Sequence, residues 1–371
     1  MASFPRALQT LPRRLTSRPV HGLSSPISRA FQTCTVKAAV AHPITAHGPP
    51  PKAPEPAPEF DRVTGQAAKA ERGSTETANG TQPPPSQVSS LLKKRFWKDV
   101  HVVKNKDGNY TVLLDKRPVR TPGKEIISIP STKPFLAHTI ALEWDVMTSA
   151  QQALKNHLIP LTSLTSRAAD IALEDEHGQT TTREQILSTT MRYLETDTLL
   201  CWVPAQERYN AEATAEGNEA QESLRDIQMR VAKDVIGFLS TNVWPGIEIL
   251  PVLDTNSILP TPQPQATQEI IRQWVSNLSP YDLAALERGT LAAKSLLVAV
   301  RLVVEWSESF RHLQGSGPKR FGIEEAAEAA SLEVRWQTDM WGEVEDTHDV
   351  NREDLRRQLG SVVVLVTGEK Q

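Results

Sequence analysis

Cysteine is nearly absent from this chain. The only two cysteines, Cys34 and Cys201, are far apart in a sequence of 371 residues. Cys34 also lies in an N-terminal segment whose composition predicts its removal. We therefore expect neither a disulfide framework nor a zinc site built from thiolates.

Acidic residues are missing from the start of the chain. No Asp or Glu precedes Glu55, and the same segment carries several basic residues: Arg6, Arg13, Arg14, Arg18, Arg29 and Lys37. An Arg-rich, Ser-rich N-terminus without acids is typical of a mitochondrial transit peptide. A secretory signal would need a continuous apolar core, which this segment lacks. We predict a transit peptide and tail over residues 1–42; the alternative is a disordered basic tail.

Signatures of common catalytic sites are also missing. The sequence has no Gly-rich phosphate loop followed by Lys-Ser or Lys-Thr, no Gly-x-Ser-x-Gly elbow and no His-Glu-x-x-His. Its net charge of -3 does not suggest a nucleic-acid-binding protein. The longest apolar pattern is broken by Lys294 and Arg301 below the length of a membrane span. We expect no enzyme, no cofactor, no nucleic-acid partner and no stable membrane insertion.

The composition changes twice before a folded region begins. Residues 43–90 are rich in Pro, Ala, Thr and Gly, which predicts a disordered linker. Residues 91–160 predict a small β-rich domain with one helix. In it, two strand-like runs flank an Asp-Gly pair at Asp107-Gly108, a hairpin signal. A helix from Pro134 to about Met147 follows, with Trp144 on its apolar face and largely buried.

Helical periodicity dominates residues 161–371. A clear apolar stripe runs from Leu224 to Leu239, and Gln206–Glu222 has the composition of an exposed insertion. The other predicted helices are Arg167–Leu173, Thr182–Leu200, Gln265–Leu278, Tyr281–Trp306, Ile323–Trp341 and Arg352–Val364, with Tyr281–Trp306 as a buried central helix. The fold class is α+β: a small β-rich N-terminal domain followed by a larger helical one.

An acidic segment, Trp341–Val350, has three interpretations. Its four acids and one histidine offer metal ligands, although Gly342 precedes the acids and the spacing matches no calcium loop. Asp349 or Asn351 can cap the helix that follows, since acids favour a helix N-terminus. Alternatively, the acids bind a basic surface on a partner protein. We favour the partner interpretation for Glu345 and its neighbours.

An ordered set of short motifs then gives a resemblance to a known family. The motifs are Arg95-Phe96-Trp97, Leu114–Pro122 (Leu-Asp-Lys-Arg-Pro-Val-Arg-Thr-Pro), Glu143-Trp144-Asp145, Ile159–Thr162 (Ile-Pro-Leu-Thr), Tyr193–Asp197 (Tyr-Leu-Glu-Thr-Asp), Lys294-Ser295-Leu296 and Trp341–Asp349. With these motifs, the chain resembles the mitochondrial assembly chaperones of the ATP synthase catalytic head. The set spans the sequence after the linker, which makes it more specific than any single motif.

The resemblance implies a matrix chaperone without ATPase activity. We expect it to be monomeric, although the sequence does not give the oligomeric state. It implies that the protein binds the unassembled alpha subunit of the F1 sector and covers the surface that beta later occupies. The family's aromatic residue after Glu143 falls on Trp144, and its functional acid falls on Glu345. We expect partner contacts from Glu345, Glu343 and Asp346, and structural roles for Trp144, Trp341 and Asp349. Two alternatives remain: a metal-dependent hydrolase using Glu343–Asp349, and a structural subunit of a matrix complex.

Overall fold

The computed structural model describes residues 93–204, 222–253, 259–314 and 320–369. The predicted transit peptide, the linker and nearly all of the predicted insertion lie outside these ranges. All described residues belong to one compact unit. The domain boundary expected at residue 160 stays a prediction.

A three-stranded antiparallel sheet comes first, in the order β1-β2-β3. The strands are β1 (Val100–Lys104), β2 (Tyr110–Leu114) and β3 (Arg117–Pro118). Gly108 allows the first turn because its φ of 85° lies in the left-handed region. The predicted hairpin is therefore confirmed.

Nine α-helices follow within the described ranges. Their bounds are α1 Pro134–Val146, α2 Pro160–Glu176, α3 Thr181–Glu195, α4 Leu224–Phe238, α5 Gln265–Ser276, α6 Pro280–Ala293, α7 Leu296–Trp306, α8 Ile323–Trp341 and α9 His348–Val366. Short 3₁₀ turns cover Ala150–Leu154, Thr198–Leu200 and Glu308–Leu313, and a π-helical turn covers Leu239–Val243. A small sheet followed by many helices confirms the predicted fold class.

The predicted central helix, Tyr281–Trp306, is two helices. Lys294 takes a left-handed φ of 52°, and the Ser295 side chain caps α7 by accepting from Val298 N at 3.1 Å. The predicted burial is correct, because most residues of α6 and α7 are buried. Apolar periodicity runs through the break, so it could not reveal the turn.

Other predicted boundaries are also wrong. The short helix expected at Arg167–Leu173 is part of the longer α2, Pro160–Glu176. The helix expected at Thr182–Leu200 is α3, which ends at Glu195 and is followed by a separate 3₁₀ turn. The predicted bounds of α8, by contrast, agree with the structure.

The C-terminal residues return to the start of α1. Buried Lys133 donates from Nζ to the carbonyl of Val366 at 2.9 Å and pairs with Glu308 at 2.8 Å. Glu369 N donates to the carbonyl of Thr132 at 2.7 Å. These contacts join the β-rich and helical parts. No helix within the described ranges has the length and apolar character needed to cross a membrane.

Candidate functional site

Glu143 on α1 caps the first turn of α2. Its two carboxylate oxygens accept from the backbone N–H of Leu161 at 2.7 Å and of Thr162 at 2.9 Å, and from the Thr162 hydroxyl at 2.7 Å. A negative charge is favourable there because the N-terminal amides of a helix lack intrahelical partners. Burial raises the pKa of the Glu143 carboxyl, while the hydrogen bonds from Thr162 and Leu161 oppose that shift.

Trp144 completes the same corner. Its indole Nε1 donates to Thr162 Oγ1 at 3.1 Å, and its carbonyl accepts from Trp97 Nε1 at 3.2 Å. The Trp97 and Trp144 rings pack edge to face with centroids 5.4 Å apart. Arg95 donates to the carbonyl of Asp145 at 2.8 Å. Three sequence motifs that are far apart in the chain therefore meet in one place, which we call the tryptophan corner (Arg95, Trp97, Glu143, Trp144 and Thr162).

Trp144 is half-buried, whereas the sequence predicted a largely buried side chain. The difference arises because it lines a cavity of about 590 Å³ between the β-rich part and helices α2 and α6. Arg120, Arg167 and Leu291 also line this cavity. Arg167 is held by Glu287 through two hydrogen bonds of 3.0 Å.

Two further motifs, Tyr193–Asp197 and Lys294-Ser295-Leu296, meet at Asp197. This buried carboxylate accepts from Leu199 N at 3.0 Å through one oxygen and from Leu297 N at 3.0 Å through the other. Thr198 N donates to the carbonyl of Lys294 at 3.2 Å. Burial raises the pKa of Asp197 to about 6, against the opposing hydrogen bonds from Ser295 and from the backbone. Asp197 therefore holds the start of α7 in place.

The acidic segment forms an exposed turn between α8 and α9. Gly342 ends α8 with a φ of 91°, and its N–H donates to the carbonyl of Thr338 at 2.9 Å. Val344 N donates to His348 Nδ1 at 3.0 Å, and Asp346 takes a left-handed φ of 58°. These contacts fix the turn. We call Asp339–Val350 the acidic tip.

The three predicted partner-binding acids differ in their surroundings. Glu343 pairs with Arg352 at 2.8 Å, so part of its charge is neutralised within the chain. Glu345 and Asp346 are exposed and make no ion pair with any described residue. Of the three, these two retain the charge that a basic partner would meet.

Trp341 closes α8, and α8 contacts the central helices α6 and α7, as expected. The Trp341 side chain itself is 75% exposed, and its structural role stays a prediction. α8 is buried only in its first half, at Ala326, Ala327 and Ala329, and its helical geometry is interrupted at Ser331. Periodicity could not reveal that the second half leaves the core.

Asp349 lies in the first turn of α9, which begins at His348, earlier than predicted. Thr347 occupies the cap position, and no side chain makes a capping hydrogen bond there. Asp349 can still stabilise the helix through its charge near the N-terminus. Among the described residues, no group of three or more His, Cys, Asp or Glu could hold a metal ion. The metal-dependent alternative thus gains no support from this part of the chain.

Comparison with known proteins decides the family. A family model described as ATP12 chaperone protein matches residues 94–240, which include the tryptophan corner. The mitochondrial protein atp12 of Schizosaccharomyces pombe is 32% identical over 273 residues, covering 73% of this chain and 81% of that protein. The chain belongs to the ATP12 chaperone family. This confirms the resemblance to ATP synthase assembly chaperones.

Two further proteins that carry the name Atp12 are also similar to this chain. The mitochondrial protein ATP12 of Saccharomyces cerevisiae is 28% identical over 307 residues, covering 79% of this chain and 89% of that protein. The crystal structure of Atp12 from Paracoccus denitrificans has a TM-score of 0.51 at 22% identity, covering 74% of this chain and 98% of that one. At that identity the bacterial structure supports the fold alone.

Sequence reasoning about this ATP12 family member missed the roles of Glu143 and Asp197. Both lie in the quoted motifs, but each caps a helix that begins elsewhere in the chain. A capping search along the sequence looks only at the residues next to a helix start. The available signal was the pairing of motifs, and only the structure shows which motif contacts which.

Proposed function

We propose that this protein binds the unassembled alpha subunit of mitochondrial ATP synthase F1 and promotes assembly of the catalytic head. An orphan subunit exposes an apolar interface and is prone to aggregation until its partner covers it. A chaperone has to cover that interface and then release it. We further propose that it acts in the matrix, without enzyme activity, after import directed by residues 1–42.

The observation that carries the proposal is the exposed Glu345 on a turn fixed by its own hydrogen bonds. The Gly342 N–H bonds back to the Thr338 carbonyl, and the Val344 N–H bonds across Glu345 to His348 Nδ1. A charged side chain on such a support can meet a basic group without first ordering a loop. Membership of the ATP12 chaperone family supports the expectation that the basic partner is a client protein of this chaperone.

The test is capture of isolated alpha subunit by the full chain. Glu345→Lys reverses one charge at an exposed site and should weaken binding by about 2 kcal/mol or more if it opposes a basic group. Glu176→Lys is the matched control, because Glu176 is also exposed and the change in net charge is the same. We expect the control to capture alpha as well as wild type does. Equal capture by Glu345→Lys would contradict the contact, and no capture by wild type would contradict the function.

A further inference from the structure

No side chain in the second half of α8 is buried among the described residues. From Ala330 to Gln358 no side chain is buried, although the first half of α8 packs into the core. The change coincides with Ser331, whose φ of -123° and ψ of 16° are not helical. Its hydroxyl donates to the carbonyl of Ala327 at 2.7 Å, a contact that often bends helices.

Large apolar side chains lie at the end of α8 and in the turn that follows it. Met340 is 62% exposed, Trp341 is 75% exposed and Val344 is 57% exposed, and all three lie within five consecutive residues. Single exposed apolar residues are ordinary, but a group of them is typical of a site where another molecule binds. Tryptophan is also over-represented among the residues that contribute most to protein interfaces.

Carboxylates surround this apolar group in sequence. The acidic tip contains five acids and neither Lys nor Arg. Glu343 has Arg352 as its partner, and the other four make no ion pair with any described residue: Asp339, Glu345, Asp346 and Asp349. By contrast, each Arg between Ala330 and Gln358 has a carboxylate partner: Arg335, Arg352, Arg356 and Arg357. The unpaired charge of this surface is therefore negative.

We propose that Met340, Trp341 and Val344 form the apolar centre of a docking surface for a basic amphipathic segment, with the four unpaired carboxylates as its rim. The apolar residues of that segment would cover Trp341, and its Lys or Arg side chains would meet the rim. Opposite charges orient such an encounter and speed it. A second copy of this chain fits less well, because two acidic tips would bring like charges together.

This inference rests on the proposed function only in taking the alpha subunit as the source of the segment. Its chemistry is tested separately, with the full chain and two labelled synthetic amphipathic helices, one of leucine and lysine and one of leucine and glutamate. Binding is followed by fluorescence anisotropy. We expect the lysine peptide to bind, the glutamate peptide not to bind, and added salt to weaken binding.

The decisive variant is Trp341→Ser, with Leu142→Ser as the matched control. Leu142 lies on α1 and is 58% exposed, so both changes remove an exposed apolar side chain. We expect Trp341→Ser to weaken binding of the lysine peptide about 30-fold, as loss of a central aromatic anchor does. Leu142→Ser should leave binding unchanged. Met340→Ser is a second variant in case Trp341→Ser melts at a lower temperature than wild type.

The two proposals fail in different ways. If wild type binds the lysine peptide but captures no alpha subunit, the proposed function fails and the docking surface stands. If wild type captures alpha and neither variant weakens peptide binding, the docking surface is refuted and the function stands. Equal binding of both peptides would also overturn it. So would a wild-type dimer, measured by sedimentation, that Trp341→Ser dissociates.

Discussion

The tryptophan corner and the acidic tip contain similar residue types in opposite environments. Each has a tryptophan near a glutamate: Trp144 beside Glu143, and Trp341 before Glu345. In the corner, the indole N–H and the carboxylate both find partners within the chain. At the tip, Trp341 is exposed and Glu345 has no ion-pair partner among the described residues. Residue type alone therefore does not distinguish a group that stabilises the fold from one that is free to bind.

The difference has an energetic consequence. A buried hydrogen bond that loses one partner leaves the other desolvated, at a cost of about 1–3 kcal/mol. An exposed side chain that is removed is replaced by water at little cost to folding. Substitutions at the corner should act on folding, and substitutions at the tip should act on binding.

Trp144→Arg should produce the largest loss of stability. It removes the edge-to-face contact with Trp97 and the bond to Thr162, and it places a charge beside them. We expect the free energy of unfolding to fall by about 4 kcal/mol. Trp144→Phe, which loses mainly the hydrogen bond, should cost about 1 kcal/mol. Chemical denaturation measures both. An unchanged midpoint for Trp144→Arg would mean that the corner stabilises the fold no more than the tip does.

Asp197 extends the comparison to a second internally bonded site, and its effect depends on pH. The pKa of Asp197 is about 6 in the fold, raised from 3.8 for an unperturbed aspartate. Between these values the folded state holds a proton that the unfolded state has lost. Stability therefore falls as pH rises through this window, by about 3 kcal/mol in total. Asp197→Asn cannot titrate.

The measurement for Asp197 is the difference in unfolding free energy between wild type and Asp197→Asn at several pH values. The difference cancels the titration of other groups. We expect wild type to lose stability relative to the variant from about pH 4 to pH 6, with little change above pH 7. A difference that stays constant with pH would mean that titration of Asp197 does not cause this change in stability.

Glu143→Gln tests the cap of α2 by itself. The amide keeps the size of the side chain but removes the charge and one of the two acceptor oxygens. We expect a loss of about 1–2 kcal/mol in unfolding free energy. The neighbouring Asp145→Asn is the control. The Asp145 carboxylate is exposed and its ion pair with Arg95 is long, at 3.7 Å, so the change should alter stability by less than about 0.5 kcal/mol. Equal effects from the two variants would refute the capping role.

The smallest effect on folding is expected at the tip. Trp341→Ser and Glu345→Lys should each alter the free energy of unfolding by less than about 0.5 kcal/mol, since both side chains are exposed. Thermal melts of these variants beside wild type provide the check. If either variant lost as much stability as Glu143→Gln, the tip would be a structural element and the distinction between the two regions would disappear.

The sequence predictions succeeded where a feature depends on neighbouring residues and failed where it depends on residues far apart in the chain. The hairpin at Asp107-Gly108 was predictable because one turn fixes it, and the bounds of α8 because its start and its terminal Gly342 are local signals. The break at Lys294 was missed because its cause includes Asp197, which lies about a hundred residues earlier in the chain. The exposure of the Trp341 side chain could not be predicted, because a helix with an apolar pattern can still extend beyond its core.

The sequence by itself determined the fold class, the helical content and the family, because periodicity, turn residues and ordered motifs are properties of the chain. It also identified the acidic segment and Trp144 as candidates. Tertiary structure decided which tryptophan is hydrogen-bonded within the chain and which faces solvent, and it paired Glu143 with α2 and Asp197 with α7. Such assignments depend on which elements contact each other, and contacts between distant segments leave no periodic trace in a single sequence.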